Sequence, residues 1–163
     1  MELLRACFYA FASAVAFGIV FNQRGKTLII AGVGGALGWL IYAGLATTFD
    51  SEIPRYFLAG IGIAFYSESA ARIFKAPAIV YLAAALIPLV PGGGIYYTME
   101  YCVAGDVDAS LATGLHTLGI AGALAMGVII VSSFFRIWVG LRRERRIKSK
   151  RAAGIQKEKN PWE

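Results

Sequence analysis

Residues 77–97 read PAIVYLAAALIPLVPGGGIYY, an apolar run that begins at Pro77 and contains two further prolines and three consecutive glycines. The apolar character continues to about residue 101, and roughly 20 apolar residues suffice for a helix to cross a membrane. However, a proline inside a helix removes a backbone donor and obstructs the preceding turn, and each glycine costs about 1 kcal/mol relative to alanine. The stretch therefore predicts a membrane helix that is broken between Pro88 and Gly94.

Four further apolar segments of similar length accompany this one, at 3–21, 27–48, 53–73 and about 111–139. The chain has 163 residues, of which 58% are hydrophobic, and its mean hydropathy is +0.62. None of the segments alternates between polar and apolar residues as the strands of a membrane barrel do. The sequence predicts an all-α integral membrane bundle of about five transmembrane helices within residues 1–140, the fourth of them broken.

The charges predict which way the helices cross. Nine of the 16 Lys and Arg residues fall within 141–163, which we call the basic tail. Because cytoplasmic segments collect Lys and Arg, we expect the amino terminus outside and the basic tail in the cytoplasm, an arrangement that places fourteen of the 16 basic residues inside. Next to a membrane helix, such a tail contacts anionic lipid head groups. We therefore attribute the net charge of +6 to topology and lipid contact, not to nucleic-acid binding.

Small residues recur at four-residue spacing in three of the segments, as in Gly34 and Gly38 or Gly60 and Ala64. Membrane helices associate through close packing at such residues, so this spacing predicts helix–helix contacts. The run at 32–38 is not a dinucleotide-binding loop, because Leu37 occupies the position of the last glycine and no strand precedes it.

The break allows two interpretations. In transporters, a half-helix that begins inside the membrane points its N–H groups and positive dipole end at an anionic group such as a carboxylate. Alternatively, residues 77–90 form a short or re-entrant segment, and the glycines form an outer loop. We favour the first interpretation and expect the substrate to contact the following residues: Pro88, Pro91, Gly92, Gly93, Gly94 and Tyr97.

Two ionisable residues inside the apolar segments are candidates for energy coupling. Glu68 lies one helical turn before Arg72, so it either forms an i,i+4 ion pair or serves as a site for a proton or a substrate ammonium group. His116 is the only histidine, and imidazole titrates near neutral pH. A lone histidine near a helix end can equally be an interfacial residue without such a role.

The motif around the break resembles that of a known family. Lys75-Ala76-Pro77, an apolar run, and then Ile87-Pro88-Leu89-Val90-Pro91-Gly92 with Tyr96 or Tyr97 soon after are similar to the threonine/serine exporter family. The similarity is to the half that is a separate small subunit in many bacteria, and a related two-protein system is linked to succinate export. The resemblance implies a bacterial cell-membrane exporter of threonine and serine that acts with a larger partner membrane subunit, as a hetero-oligomer or with further copies.

Other functions remain open at this point. Export of a dicarboxylate such as succinate is one alternative, and a non-transporting accessory subunit that stabilises a larger partner is another. An enzyme is not expected, because the sequence has no nucleophile–base arrangement, no paired histidines and no metal-ligand spacing. For the same reason we predict no cofactor and no metal. The two cysteines are too few for a disulfide framework.

Overall fold

The computed structural model describes the backbone of residues 1–159 and the side chains of residues 1–139. Within that part of the chain there is no strand, so the all-α prediction is confirmed. A short 3-10 turn follows α2, and another follows α4. The α-helices are α1 (Glu2–Val20), α2 (Lys26–Gly44), α3 (Glu52–Phe74), α4 (Ala78–Leu86), α5 (Gly92–Ala104) and α6 (Val107–Lys159).

The helices agree with the predicted membrane bundle. Both α1 and α2 are long and apolar enough to cross a membrane, as is α6 over Val107–Val139. Taken together, α4 and α5 are also long and apolar enough for a crossing, with a bend of 50° between them. The remaining helix, α3, has 23 residues but is more polar, because it carries Arg55, Glu68 and Arg72. The prediction of about five transmembrane helices with a broken fourth is confirmed.

Close contacts at glycine hold the bundle together. The central helix is α2, which packs against α1, α3 and α4, while α3 also packs against α6. A Cβ atom added at Gly34 would lie 2.9 Å from Ala85, and one added at Gly35 would lie 2.8 Å from Ala14. At Gly60 it would lie 2.8 Å from the carbonyl oxygen of Leu124. These distances leave no room for a side chain, so the predicted packing at small residues is confirmed.

Large and small apolar residues are distributed in the reverse of a soluble protein. The buried core consists mostly of alanines, to which Ile63, Tyr81 and Leu89 add the large apolar side chains that are fully enclosed. Many large apolar side chains point outward, including Phe8 and Phe134, each 65% exposed. An outer surface of this kind is suited to contact with lipid rather than water.

The two ends of the bundle differ in charge. At one end, the Gln23 side chain donates a 2.6 Å hydrogen bond to the carbonyl oxygen of Val80, and the Arg72 guanidinium lies 4.5 Å from the Phe135 ring centre. These contacts bring together the α1–α2 loop, the end of α3, the start of α4 and the α6 segment near 136. This basic end carries Arg24, Lys26, Arg72, Lys75 and Arg136, whereas the opposite, acidic end carries Asp50, Glu52, Glu100, Asp106 and Asp108.

The last helix continues into the basic tail. Its backbone is helical from Val107 to Lys159, so the apolar segment and residues 141–159 form one uninterrupted element. The side chains of the tail lie outside the described residues. Its assignment as a separate cytoplasmic segment from 141, and its contact with anionic lipid, therefore stay predictions.

Candidate functional site

The break between α4 and α5 originates at Pro91. A residue that precedes proline is pushed out of the helical region, and Val90 accordingly has φ −61° and ψ 128°. By contrast, Pro88 is accommodated in the 3-10 turn Ile87–Leu89, where Ile87 stays helical at φ −50° and ψ −46°. The α-helix itself ends at Leu86, the 3-10 turn carries the helical path past Pro88, and the chain becomes extended only at Val90, before the second proline of the motif.

The break lies deep in the bundle. Leu89, the last residue before it, is fully buried in a cluster with Ile63 and Leu124. Ile63 is the middle residue of α3, so the break begins at about half the depth of that helix. The chain then continues into α5 at 50° without turning back, and the three glycines form the first turn of α5. Glycines in an outer loop, the alternative considered from the sequence, are not observed.

The start of α5 carries backbone donors that have no partner. The first N–H groups of a helix have no acceptor within the helix. At this end, the N–H of Gly92 bonds to the carbonyl oxygen of Val90 at 2.7 Å, and that of Ile95 bonds to Pro91 at 3.2 Å. Among the described residues no acceptor meets the N–H groups of Gly93 and Gly94, and no side chain caps α5. This positive helix end is therefore free to receive an anionic group.

The space around the glycines differs from one to the next. A Cβ atom on Gly92 or Gly93 would meet no described residue within 4 Å, so these two glycines border open space in that part of the chain. One on Gly94 would collide with the Thr117 side chain, so Gly94 is where α5 closes onto α6. Nothing in the sequence singles out Thr117 as this contact, because 23 positions separate the two residues.

The other predicted substrate-binding residues are spread around the break. Pro88 lines a cavity of about 280 Å³ against α1 and α2, whereas Pro91 lines an apolar cavity of about 350 Å³ against α6. Tyr97 is 53% exposed, and its ring stands edge-on to Tyr96 with the centres 5.4 Å apart. The structure thus gathers residues 92–94 but does not place all six predicted residues around one cavity. Their role in binding stays a prediction.

Glu68 lies at the basic end and has the partner that its spacing suggested. One carboxylate oxygen is 4.0 Å from the Arg72 guanidinium, and the Glu68 side chain is only 20% exposed. Glu68 also lines a cavity between α3, α4 and α6, together with Ser67. The neighbouring Ser69 is not among the residues that line it, and its hydroxyl donates to the carbonyl oxygen of Phe65 at 2.8 Å.

His116 lies at the acidic end, where it contacts Glu52. Its Nε2 is 3.2 Å from one oxygen of the Glu52 carboxylate, and the Tyr42 hydroxyl donates to the other oxygen at 3.2 Å. Glu52 and Glu68 are sixteen positions apart on α3, which corresponds to about 24 Å. The two coupling candidates therefore do not form one site. Sequence reasoning missed Glu52, because it lies 64 positions from His116.

The contact between His116 and Glu52 is expected to contribute little to stability. Both side chains are about half exposed, at 50% and 43%, and exposed pairs contribute roughly 0–1 kcal/mol. We expect a double-mutant cycle with His116→Gln and Glu52→Gln to give a coupling energy below about 1 kcal/mol. Thermal unfolding in a mild detergent provides the measurement. A coupling energy near 3 kcal/mol would contradict this assignment.

Comparison with known proteins adds to this geometry. Residues 6–134, which include the break, match the family described as "Threonine/Serine exporter, ThrE". The chain belongs to this family. This match confirms the resemblance found in the motif around Pro88 and Pro91. The ThrE family comprises membrane transport proteins and not enzymes. The link to succinate export stays a prediction.

One ThrE relative is named "Probable threonine/serine exporter" and comes from Mycobacterium tuberculosis (strain ATCC 25618 / H37Rv). It is 25% identical to this chain over 131 residues, which cover 80% of this chain and 25% of the relative. The chain thus spans about a quarter of the length of that relative. No solved structure matches the chain.

Proposed function

We propose that this ThrE-family chain is a membrane subunit of an exporter of small carboxylate-bearing metabolites, foremost threonine and serine. The observation that carries the proposal is the uncapped start of α5, where the N–H groups of Gly93 and Gly94 have no acceptor in the described part of the chain. The start of α5 directly follows the break, which begins at about half the depth of the bundle. It borders open space at Gly92 and Gly93. In this role the half-helix receives the substrate carboxylate during passage.

The physical argument concerns the carboxylate in a medium of low dielectric constant. A carboxylate that leaves water needs replacement donors, and charge-assisted hydrogen bonds are roughly twice as strong as neutral ones. Irregular backbone is tolerated at membrane depth only where it is buried in protein or lines a cavity. The space beside residues 92 and 93 is open, since no described residue has an atom within 4 Å of either Cβ position.

A partner membrane subunit completes the pathway in this proposal. Among the described elements, α5 makes its main contacts with α6 alone, and none of its residues is buried. The relative from M. tuberculosis is about four times as long as the matched part of this chain. A larger subunit of the threonine/serine exporter type therefore covers α5 in the assembled exporter.

The proposed orientation places the basic end in the cytoplasm. Five basic side chains cluster at that end, while acidic ones dominate the other, and cytoplasmic segments of membrane proteins are rich in Lys and Arg. The amino terminus then lies outside and the carboxyl terminus inside. The basic tail at 141–163 lies against the anionic lipids of the cytoplasmic leaflet.

The test is efflux from cells that lack this chain. The cells are loaded with dipeptides of threonine or serine, and the free amino acid that appears outside is followed over time. We expect slower efflux than in the parent strain, and recovery when the native chain is restored. Succinate efflux from the same cells is the control and is expected to be unchanged. Equal efflux of both amino acids with and without the chain would overturn the proposal, and a selective loss of succinate efflux would replace it with dicarboxylate export.

The partner has its own test. The chain alone, reconstituted in liposomes, is expected to pass no serine, while co-reconstitution with the larger subunit is expected to restore transport. Transport by the chain alone would show that the partner is not needed.

A further inference from the structure

A polar cavity lies at the basic end of the bundle, beside the start of α4 and away from the break at Pro91. Its volume is about 220 Å³, and it is lined by α3, α4 and α6. Pockets for drug-sized ligands range from roughly 300 to 1,000 Å³, so this one suits a smaller molecule. Its wall is apolar except for four side chains, which are Ser67, Glu68, Ser132 and Arg136.

Ser67 provides the observation that indicates a ligand. Its side chain is 1% exposed, yet its hydroxyl has no hydrogen-bond partner among the described residues. Buried polar groups are nearly always satisfied, so an exception requires an explanation. Other hydroxyls in this protein bond to the carbonyl four residues earlier, as Ser69 does to Phe65 and Thr117 does to Thr113. Ser67 is among the residues that line the cavity, and its buried hydroxyl makes no such bond.

Two opposite charges line the same cavity from different helices. Glu68 on α3 has Arg72 as its ion-pair partner, but at the long distance of 4.0 Å. The Arg72 guanidinium is also stacked on Phe135 and Trp138, at 4.5 Å and 5.4 Å from the ring centres. Arg136 on α6 has no ion pair within the described part of the chain. The cavity therefore offers an acceptor for a cation and a donor for an anion.

We propose that this cavity binds a small zwitterionic α-amino acid with a hydroxyl side chain. The Glu68 carboxylate accepts the α-ammonium group, and the Arg136 guanidinium donates to the α-carboxylate. The Ser67 hydroxyl, aided by Ser132, pairs with the hydroxyl of the ligand. A dicarboxylate is disfavoured, because it would place a second negative charge beside Glu68.

The place of this site in transport rests on the proposed function. Leu82 of α4 lines the cavity, and the nine positions from Leu82 to Pro91 correspond to roughly 15 Å along the helix. The cavity at the basic end is thus a loading site on the cytoplasmic side, from which α4 leads to the break. Binding itself does not depend on that role and can be measured separately.

The first test concerns Ser67 and uses the full chain in lipid nanodiscs with radiolabelled L-serine and L-alanine. We expect Ser67→Ala to weaken serine binding about 3- to 10-fold, as expected for one neutral hydrogen bond, and to leave alanine binding unchanged. Folding is expected to be preserved, because the hydroxyl makes no bond that the substitution removes. A loss of binding that is equal for the two amino acids, or no loss for either, would overturn the assignment of Ser67.

The second test separates the two charges by using altered ligands. Native protein is expected to bind N-acetylserine and serine amide at least about tenfold more weakly than serine, since each lacks one charged group. Glu68→Gln should abolish the difference between serine and N-acetylserine, and Arg136→Gln the difference between serine and serine amide. A merely structural role would not produce this crossed pattern.

Arg72→Gln is the matched control. It removes the ion-pair partner of Glu68 but no residue of the cavity wall, and we expect serine affinity to stay within about twofold, since a partly exposed pair contributes little. If Arg72→Gln reduces binding as much as Glu68→Gln, Glu68 acts only through the pair and the proposal is wrong. Absence of amino-acid binding by the native chain would also overturn it. Binding in the nanodiscs without any efflux defect in cells would preserve the site and reject the exporter function.

Discussion

Replacement of Gly127 by alanine is expected to prevent α3 and α6 from packing at their present distance. The added Cβ would lie 2.5 Å from the carbonyl oxygen of Phe57 and 3.0 Å from the amide nitrogen of Ile61. Both atoms belong to the backbone of α3 and cannot rotate away, so the helices themselves must separate. Overpacking of this kind costs about 1–3 kcal/mol or more, which exceeds the roughly 1 kcal/mol that alanine adds to helix stability over glycine.

The measurement is the unfolding free energy in mixed micelles, followed by helix content as a denaturing detergent is added. Gly122→Ala is the matched control, because Gly122 lies on the same helix and its Cβ would meet no atom of the described residues within 4 Å. That control is expected to be as stable as the native chain or up to about 1 kcal/mol more stable. Equal stability of the Gly127 and Gly122 variants would show that the contact between α3 and α6 is looser than described.

Repair of the broken helix is expected to reduce export strongly while preserving the fold. The variant combines Pro91→Ala, Gly92→Ala and Gly93→Ala, all at positions before the contact at Gly94. Alanine fits at both glycines, since neither has an atom within 4 Å of its Cβ position. A continuous helix would be favoured by about 3 kcal/mol at the proline and about 1 kcal/mol at each glycine. The amide groups at 93 and 94 would then bond within the helix and no longer be free for a carboxylate.

We expect serine efflux through the repaired variant to fall at least about tenfold, since a hydrogen bond to a charged group contributes about 1.5–3 kcal/mol. Hydrogen exchange at the backbone amides of residues 92–95 should slow at the same time, which would show that α4 and α5 have become one continuous helix. The control combines Pro54→Ala in the first turn of α3 with Gly122→Ala in α6, so that similar residue types change away from the break. A repaired variant that exports at the native rate would remove the break from the transport pathway.

The features that were predictable from the sequence depend on local physics. Hydropathy alone indicates the helical segments, and the interruption at residues 88–94 follows from what proline and glycine do to a helix. The ion pair between Glu68 and Arg72 follows from their i,i+4 spacing. Small residues at four-residue spacing likewise indicate where helices meet, as Gly60 shows by its contact with Leu124.

The features that were not predictable depend on how distant helices cross. Arg136 comes 69 positions after Ser67, and only the packing of α3 against α6 brings them to one cavity. The same packing places Glu52 beside His116. The sequence also predicts six substrate-binding residues around the break without indicating that Pro88 and Pro91 line different cavities. No spacing rule connects residues on separate helices, so these juxtapositions are visible only in the folded chain.

The enclosure of small residues and the outward position of large ones have a consequence for how this chain varies. In a water-soluble protein the damaging replacements are those that shrink a core residue, because they leave a void. Here many interior positions are already glycine or alanine, so damage comes from enlargement. Exchanges among leucine, isoleucine and phenylalanine on the outer surface change only what touches the acyl chains. A map of tolerated mutations for this chain should therefore show that large apolar residues exchange freely on the outer surface, whereas small interior residues tolerate no enlargement.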